Sequence, residues 1–171
     1  GEKLRDFTWN EFADWYLEIA KTQKNQSTDK ILLYVLERLL VYWHPFMPFV
    51  TEQIWKQVDL ETMLMIHEWP LALDPVHDTE AEKQFEKLQE VIVAIRNIRA
   101  QYNVEPKKKI NVSIQTATKD TILDQKNVIQ ALAGIESISI VETLPTEGAA
   151  TAVVRDVRIA VELADLVDVE Q

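Results

Sequence analysis

The chain has 171 residues, of which 47% are hydrophobic, so it can bury one sizeable core or two small ones without a disulfide or metal. It has no cysteine, which excludes a disulfide framework and thiolate metal sites. Its formal net charge of -10 is the wrong sign for a protein that binds nucleic acid through its overall charge alone. Since no apolar stretch reaches the roughly 20 residues needed to cross a bilayer, we expect a cytoplasmic protein without membrane contact.

The first predicted element is an amphipathic helix from Phe7 to Lys21. Its apolar residues recur at spacings of three and four and are Trp9, Phe12, Tyr16 and Ile19. The opposite face is polar and carries Asn10, Asp14 and Glu18. Such a face is either an ordinary solvated surface or a binding surface, and the pattern alone does not separate the two.

A second helix, Lys30–Trp43, has an unusually wide apolar face, which predicts a central and largely buried position. It is followed by Pro45 and Pro48, which end one helix and begin the next, Thr51–Val58. We call the segment from Tyr42 to Trp55 the proline corner. We expect its large side chains in the core, namely Trp43, Phe46, Met47, Phe49 and Trp55.

The longest predicted helix begins at Thr79, because Thr79 and Glu82 have the spacing of a capping box, and runs to about Asn103. Arg96 and Arg99 lie one turn apart on it and can point the same way. Beyond Pro106 the pattern changes to strand periodicity at Ile110, Val112 and Ile114, then to a helix ending near Gly134, then to further strands. We therefore predict a mainly α protein, with a helical bundle over residues 1–105 and a small α/β domain over residues 106–171.

No pattern for catalysis or for a cofactor is present. The chain has only three glycines, too few for a loop that cradles phosphate. Its three histidines, His44, His67 and His77, are scattered, and His44 before a proline is interpreted as a hydrogen-bonded structural residue. No nucleophile-elbow pattern occurs either. We predict no catalytic, cofactor or metal site.

Positive charge accumulates in one place, within fourteen positions near the predicted domain boundary. The residues are Arg96, Arg99, Lys107, Lys108 and Lys109. Together they could hold the phosphates of a nucleic-acid backbone, or they could simply balance the charge of an acidic protein. The pattern alone leaves both interpretations open.

Three ordered segments, Trp9–Glu18, His44–Trp55 and Ala94–Val104, are more specific. With their Trp-Asn-Glu-Phe-x-Asp-Trp-Tyr and Arg-Asn-Ile-Arg motifs they resemble the valyl-tRNA synthetases, and the resemblance covers essentially the whole chain. Isoleucyl and leucyl enzymes share a version of the middle segment. Many bacterial members have cysteine where this chain has Ala13.

This resemblance implies an anticodon-binding helical bundle of the class I synthetase type, with further helices before residue 1. It also implies a small junction domain that leads to a C-terminal coiled coil after residue 171. The class I signatures His-x-Gly-His and Lys-Met-Ser-Lys-Ser do not occur in the chain. The chain itself is therefore expected to be non-catalytic and without a cofactor. In the parent enzyme, a valine-tRNA ligase expected to be monomeric, ATP would bind to the catalytic domain.

The implied partner is tRNA(Val), and the implied function is anticodon recognition and positioning. Hydrogen bonds to unstacked loop bases can come from an acidic surface if basic residues elsewhere hold the backbone. The residues expected nearest the anticodon loop are Asn10, Asp14 and Glu18. Those expected to hold the backbone are Arg96, Arg99, Lys107, Lys108 and Lys109.

Two alternatives remain. The chain could be the same region of an isoleucyl- or leucyl-tRNA synthetase. It could also be a free-standing helical module that binds a protein partner through exposed Met63, Met65 and Trp69. Apolar surface left bare by missing helices could also let the fragment self-associate.

Overall fold

The computed structural model describes residues 1–58, 62–71, 78–117, 119–145 and 148–162. It divides into two compact units, Gly1–Val76 and His77–Gln171. The described part of the first unit is helical, and the second combines helices with a four-stranded sheet. The predicted class, a helical bundle followed by a small α/β domain, is confirmed. No helix in the described ranges is long and apolar enough to span a bilayer.

The first unit begins with a continuous helical rod made of α1 (Glu2–Asp6), a π-helical segment (Phe7–Leu17) and α2 (Glu18–Thr22). The predicted helix is therefore present, but it begins at Glu2 and its Phe7–Leu17 segment is π-helical. Because a π turn closes i to i+5 hydrogen bonds, residues spaced by three and four do not stay on one face. Phe12 is buried as expected, whereas Trp9 is 62% exposed.

The helix α3 (Gln26–Trp43) begins at Asn25, whose side chain accepts a hydrogen bond from the Thr28 amide. It ends as predicted at the proline corner, and α4 (Pro48–Gln57) starts with its proline in the first turn, where the missing amide hydrogen costs nothing. A short 3-10 turn, Leu64–Ile66, follows. The buried cluster of this unit comprises Leu40, Val41, Trp55 and Leu64.

The predicted burial of the proline corner is only partly correct. Trp55 is buried and its indole nitrogen donates a hydrogen bond to the Thr62 carbonyl (2.9 Å). Phe46, Met47 and Phe49, in contrast, are exposed, with Phe49 89% accessible. The reason is helical geometry, since α4 turns Thr51 and Trp55, four residues apart, inward, so that Phe49 lies on another face. The N-terminal half of α3 is also more exposed than predicted, for example at Ile31 and Leu33.

The second unit is built on α5 (Thr79–Gln101). Asp78 caps its N-terminus by accepting a hydrogen bond from the Ala81 amide (3.0 Å), so the predicted capping box at Thr79 is wrong by one residue. The helix ends where Asn103 adopts a left-handed conformation (φ 50°) and the Val104 amide donates to the Arg99 carbonyl (2.9 Å).

The sheet contains β1 (Ile110–Gln115), β2 (Ile135–Ile140), β3 (Ala149–Val154) and β4 (Val157–Glu162) in the order β2-β1-β4-β3. The β1 and β2 strands are parallel, and the crossover between them contains α6 (Lys119–Asp124) and α7 (Lys126–Ala133). The other pairs are antiparallel. As predicted, α7 ends at Gly134 in the left-handed conformation (φ 66°, ψ 48°).

The long helix α5 packs on this sheet and on α7. It buries Ile92 and Ile95 completely, and burying an isoleucine side chain typically contributes about 1.5–3 kcal/mol. Lys87 also pairs with Asp156 in the turn between β3 and β4 (2.6 Å). The compact unit His77–Gln171 therefore includes α5 as well as the sheet, and the domain boundary at 105/106 stays a prediction.

Candidate nucleic-acid interface

The polar face predicted on the first rod is accessible. Asn10 and Asp14 are exposed in the π-helical segment, while Glu18 is half-buried and pairs with Lys21 one turn further along. Beside Asn10 lies the exposed Trp9, which the sequence pattern assigned to the core. An exposed aromatic ring next to an amide can both stack on and hydrogen-bond an unpaired base. Trp9 is therefore a candidate that the sequence analysis missed, because the π winding is not visible in the apolar spacing.

Arg99 lies inside the second unit and is only 9% exposed. Its Nη1 donates a hydrogen bond to the Gly134 carbonyl (3.0 Å), and its Nη2 donates to the carbonyls of Glu105 and Lys108 (2.9 Å each). Burial lowers the pKa of this guanidinium, which nevertheless stays charged because an unperturbed arginine titrates so far above neutral pH. The group is therefore surrounded by backbone acceptors and is not displayed to a ligand.

Arg96 remains on the surface, but its Nε donates to the Leu132 carbonyl (2.9 Å) in the last turn of α7. Both arginines do point the same way, as the sequence indicated. They point at the C-terminal end of α7, where carbonyl groups lack helical partners and a positive charge is favourable. Both arginine side chains therefore have a structural role, which is to bind backbone carbonyls at the end of α7.

The three lysines lie on a short turn, residues 105–109, which we call the basic turn. It is closed by a hydrogen bond from the Lys108 amide to the Glu105 carbonyl (3.0 Å). Lys107, Lys108 and Lys109 are all exposed. Lys109 lies 3.5 Å from Glu136, but both groups are about two-thirds exposed, so this pair contributes little.

The predicted residues thus form two groups. Asn10, Asp14 and Glu18 belong to the first compact unit, whereas the arginines and the basic turn belong to the second. Within the second unit the structure does bring the predicted cluster together. Arg99 lies under the basic turn, and the lysines lie on its outside.

Ion pairs hold the turn between β3 and β4 against α5. The hydrogen bond from Lys87 lowers the pKa of the Asp156 carboxyl below its ordinary value. Hydrogen bonds to Glu90 and Glu86 raise the pKa of the neighbouring Arg155. These groups link secondary-structure elements, which is a structural role.

The histidines in the described residues have separate environments. His44 Nδ1 is 2.8 Å from the Thr51 hydroxyl, which donates to the Met47 carbonyl (2.9 Å), so the predicted structural hydrogen bond is confirmed. His67 lies 3.6 Å from Glu37, and His77 lies outside the described residues. Among the residues that the structure describes, no group of three or more His, Asp or Glu side chains could hold a metal ion.

Residues 62–71 carry several exposed apolar side chains. Met63, Met65 and Trp69 are exposed, as the protein-interaction alternative requires. Next to them, a groove is lined by Glu37, His67 and other side chains of α3 and residues 62–71.

Comparison with known proteins agrees with the motifs. Residues 1–114 match the family described as the anticodon-binding domain of tRNA ligase. The whole chain is 37% identical to the valine–tRNA ligase of Carboxydothermus hydrogenoformans and 33% identical to that of Bacillus cereus, covering 21% of each. With the valine–tRNA ligase of Petrotoga mobilis it shares 32% identity over 99% of the chain and 21% of that enzyme. The chain thus spans about a fifth of the length of these relatives. It belongs to the anticodon-binding domain family of tRNA ligases.

Proposed function

We propose that the chain is the tRNA-binding region of a valine–tRNA ligase and that it recognises the anticodon and positions tRNA(Val). The observation that carries this proposal is the family match over residues 1–114, extended by similarity to valine–tRNA ligases along the entire chain. In this function the chain makes no bond itself. Valine and ATP bind elsewhere in the parent enzyme, a cytoplasmic monomer.

In this proposal the exposed face of the π-helical segment contacts the anticodon. Trp9 offers a ring on which an unstacked base can lie, and Asn10 offers both a donor and an acceptor to a base edge. Asp14 adds an acceptor that can take a hydrogen bond from an exocyclic amine. Glu18 has a smaller part, since its carboxylate is engaged by Lys21.

In this proposal the basic turn contacts the RNA backbone. The net charge of -10 repels RNA at long range, so attraction has to be local. Lys107, Lys108 and Lys109 are exposed on one turn and can approach successive phosphates. Arg99 does not contact phosphate in this proposal, because its guanidinium is buried among carbonyls.

The test is direct binding of fluorescent tRNA(Val) transcript to the full chain, compared with the same transcript carrying an exchanged anticodon. We expect tighter binding of the natural transcript, and Asn10→Ala should reduce that preference. Asn127→Ala, which removes the same group from an exposed position on α7, is the matched control and should leave it unchanged. Equal affinity for both transcripts would contradict anticodon recognition.

Transcripts of tRNA(Ile) and tRNA(Leu) form a second arm of the experiment. Preference for either over tRNA(Val) would support the alternative that the region comes from an isoleucyl or leucyl enzyme. Failure to bind any tRNA would leave the protein-interaction alternative, for which the exposure of Met65 and Trp69 is the supporting observation.

A further inference from the structure

The basic turn is shaped by the group beneath it. Arg99 Nη2 donates to the carbonyls of Glu105 and Lys108, with a longer contact to Pro106 (3.4 Å). Three carbonyls of a five-residue segment thus converge on one guanidinium nitrogen. These hydrogen bonds restrain the backbone of the turn.

This convergence also determines what faces solvent. The peptide bonds are trans, so each N–H points in the opposite direction to the carbonyl of the preceding residue. With the carbonyls of Pro106 and Lys108 directed at the guanidinium, the N–H groups of Lys107 and Lys109 are directed away from it. The positive ends of these peptide dipoles therefore face away from the guanidinium, on a turn whose three lysines are exposed.

The opposite side of the guanidinium is anchored to the sheet. Gly134 accepts from Arg99 Nη1 (3.0 Å) and also from the amide of Ile110 (3.3 Å), the first residue of β1. A Cβ at residue 134 would lie 3.2 Å from Nη1 and 3.3 Å from Cζ. Any other side chain would be strained by the left-handed conformation and would require the guanidinium to shift by a few tenths of an ångström.

We propose that Arg99 is a positioning residue for RNA binding, which holds the basic turn so that Lys107, Lys108 and Lys109 meet the phosphate backbone together. The proposal rests on the phosphate contact in the proposed function. It assigns to Arg99 an effect on RNA that passes through the turn and not through a contact of its own. Lysine cannot replace it, because a single ammonium group lacks the planar fork that reaches the turn and Gly134 at once.

Three variants test this role in the full chain. Arg99→Lys keeps the charge but loses the fork, and Gly134→Ala displaces the guanidinium without changing Arg99. The triple variant Lys107→Ala, Lys108→Ala, Lys109→Ala removes the phosphate contact itself. Arg155→Lys is the matched control, since it makes the same substitution at an exposed arginine that pairs with Glu86 and Glu90.

Two quantities are measured. The first is the slope of log Kd against log salt concentration for tRNA(Val), which should fall by about one per lysine in the triple variant and by about one to two in Arg99→Lys and in Gly134→Ala. The second is amide hydrogen exchange at Val104, Lys108 and Ile110, which should accelerate in Arg99→Lys but not in Arg155→Lys. In the triple-alanine background, Arg99→Lys should change RNA binding no further.

The outcomes separate the two proposals. An unchanged slope in the triple variant overturns the phosphate contact, and the positioning role falls with it. A reduced slope in the triple variant but not in Arg99→Lys or Gly134→Ala overturns the positioning role alone. The positioning role is also overturned if the loss of tRNA binding in Arg99→Lys adds fully to the loss in the triple variant. A lower folded fraction by itself would shift Kd without changing the slope, so a purely structural effect of Arg99→Lys also counts against the proposal.

Discussion

Arg99 and Gly134, 35 residues apart, meet in a hydrogen bond of 3.0 Å from the guanidinium Nη1 to the glycine carbonyl. The glycine is the left-handed cap of α7, and the arginine lies in the last turn of α5. Hydrogen bonds from Nη2 extend this link to the basic turn, and the Ile110 amide, at the start of β1, donates to the same glycine carbonyl.

Gly134→Ala should destabilise the second unit by about 2–4 kcal/mol, of which the left-handed conformation of an alanine accounts for about 1–2 kcal/mol. The remainder arises because the new Cβ meets the guanidinium at 3.2 Å. Gly148→Ala is the matched control, since Gly148 has a similar φ of +68° but no atom within 4 Å of the added Cβ. Amide exchange in β1 and β4 measures the difference, and equal losses in both variants would show that the contact with Arg99 adds nothing.

Asp156→Asn should lower the stability of the second unit at neutral pH but not in acid. The pKa of Asp156 is lowered by Lys87, so the folded state binds the proton less readily than the unfolded state does. The stabilisation is therefore present above the unfolded pKa of about 3.9 and is lost as the pH falls through the lower folded value. Unfolding by urea, followed by far-UV circular dichroism at several pH values, should show the two proteins converging in acid. A constant difference down to the lowest pH would contradict the role of this ion pair.

Thr51→Val should destabilise the first unit by about 1–3 kcal/mol, because it leaves His44 Nδ1 without its partner within the proline corner. Thr22→Val, at an exposed hydroxyl that bonds the Ile19 carbonyl, is the control and should cost less. All five tryptophans lie between residues 9 and 69, so tryptophan fluorescence reports on the first unit. Equal shifts in the urea midpoint would argue against a special role for the His44–Thr51 bond.

Trp9→Ala should weaken tRNA(Val) binding by about 1–3 kcal/mol if the ring stacks on an anticodon base, whereas Trp9→Phe should retain most of the affinity. Stability should change by less than about 0.5 kcal/mol, since the ring is 62% exposed. Binding of the two variants to tRNA(Val) and to the anticodon-exchanged transcript checks this expectation. Wild-type affinity in Trp9→Ala would remove the residue from the interface.

Local patterns accounted for the order of the elements. The prolines at positions 45 and 48 mark where α3 ends and α4 begins, and the alternation at Ile110, Val112 and Ile114 marks β1. Gly134 was recognisable as a helix cap because only local backbone energetics are involved. The motifs that resemble valyl-tRNA synthetases identified the family because each motif consists of residues that are neighbours in the sequence.

Exposure and side-chain direction could not be predicted in the same way. Phe49 and Thr51 are two residues apart in α4, yet the aromatic ring is exposed and the hydroxyl is buried, because α3 and the 3-10 turn pack on only one face of the helix. The π winding changed the face of Trp9 by a backbone hydrogen-bond shift that apolar spacing does not encode.

The sequence by itself therefore determined which segments are helices and strands, and the family to which the chain belongs, since both depend on neighbouring residues. Only the tertiary structure decided that α5 packs on the sheet and that Arg99 faces inward. The carbonyls that receive its guanidinium come from Glu105, Lys108 and Gly134. They are brought together by the packing of α5, α7 and β1, and no pattern along the chain contains that information.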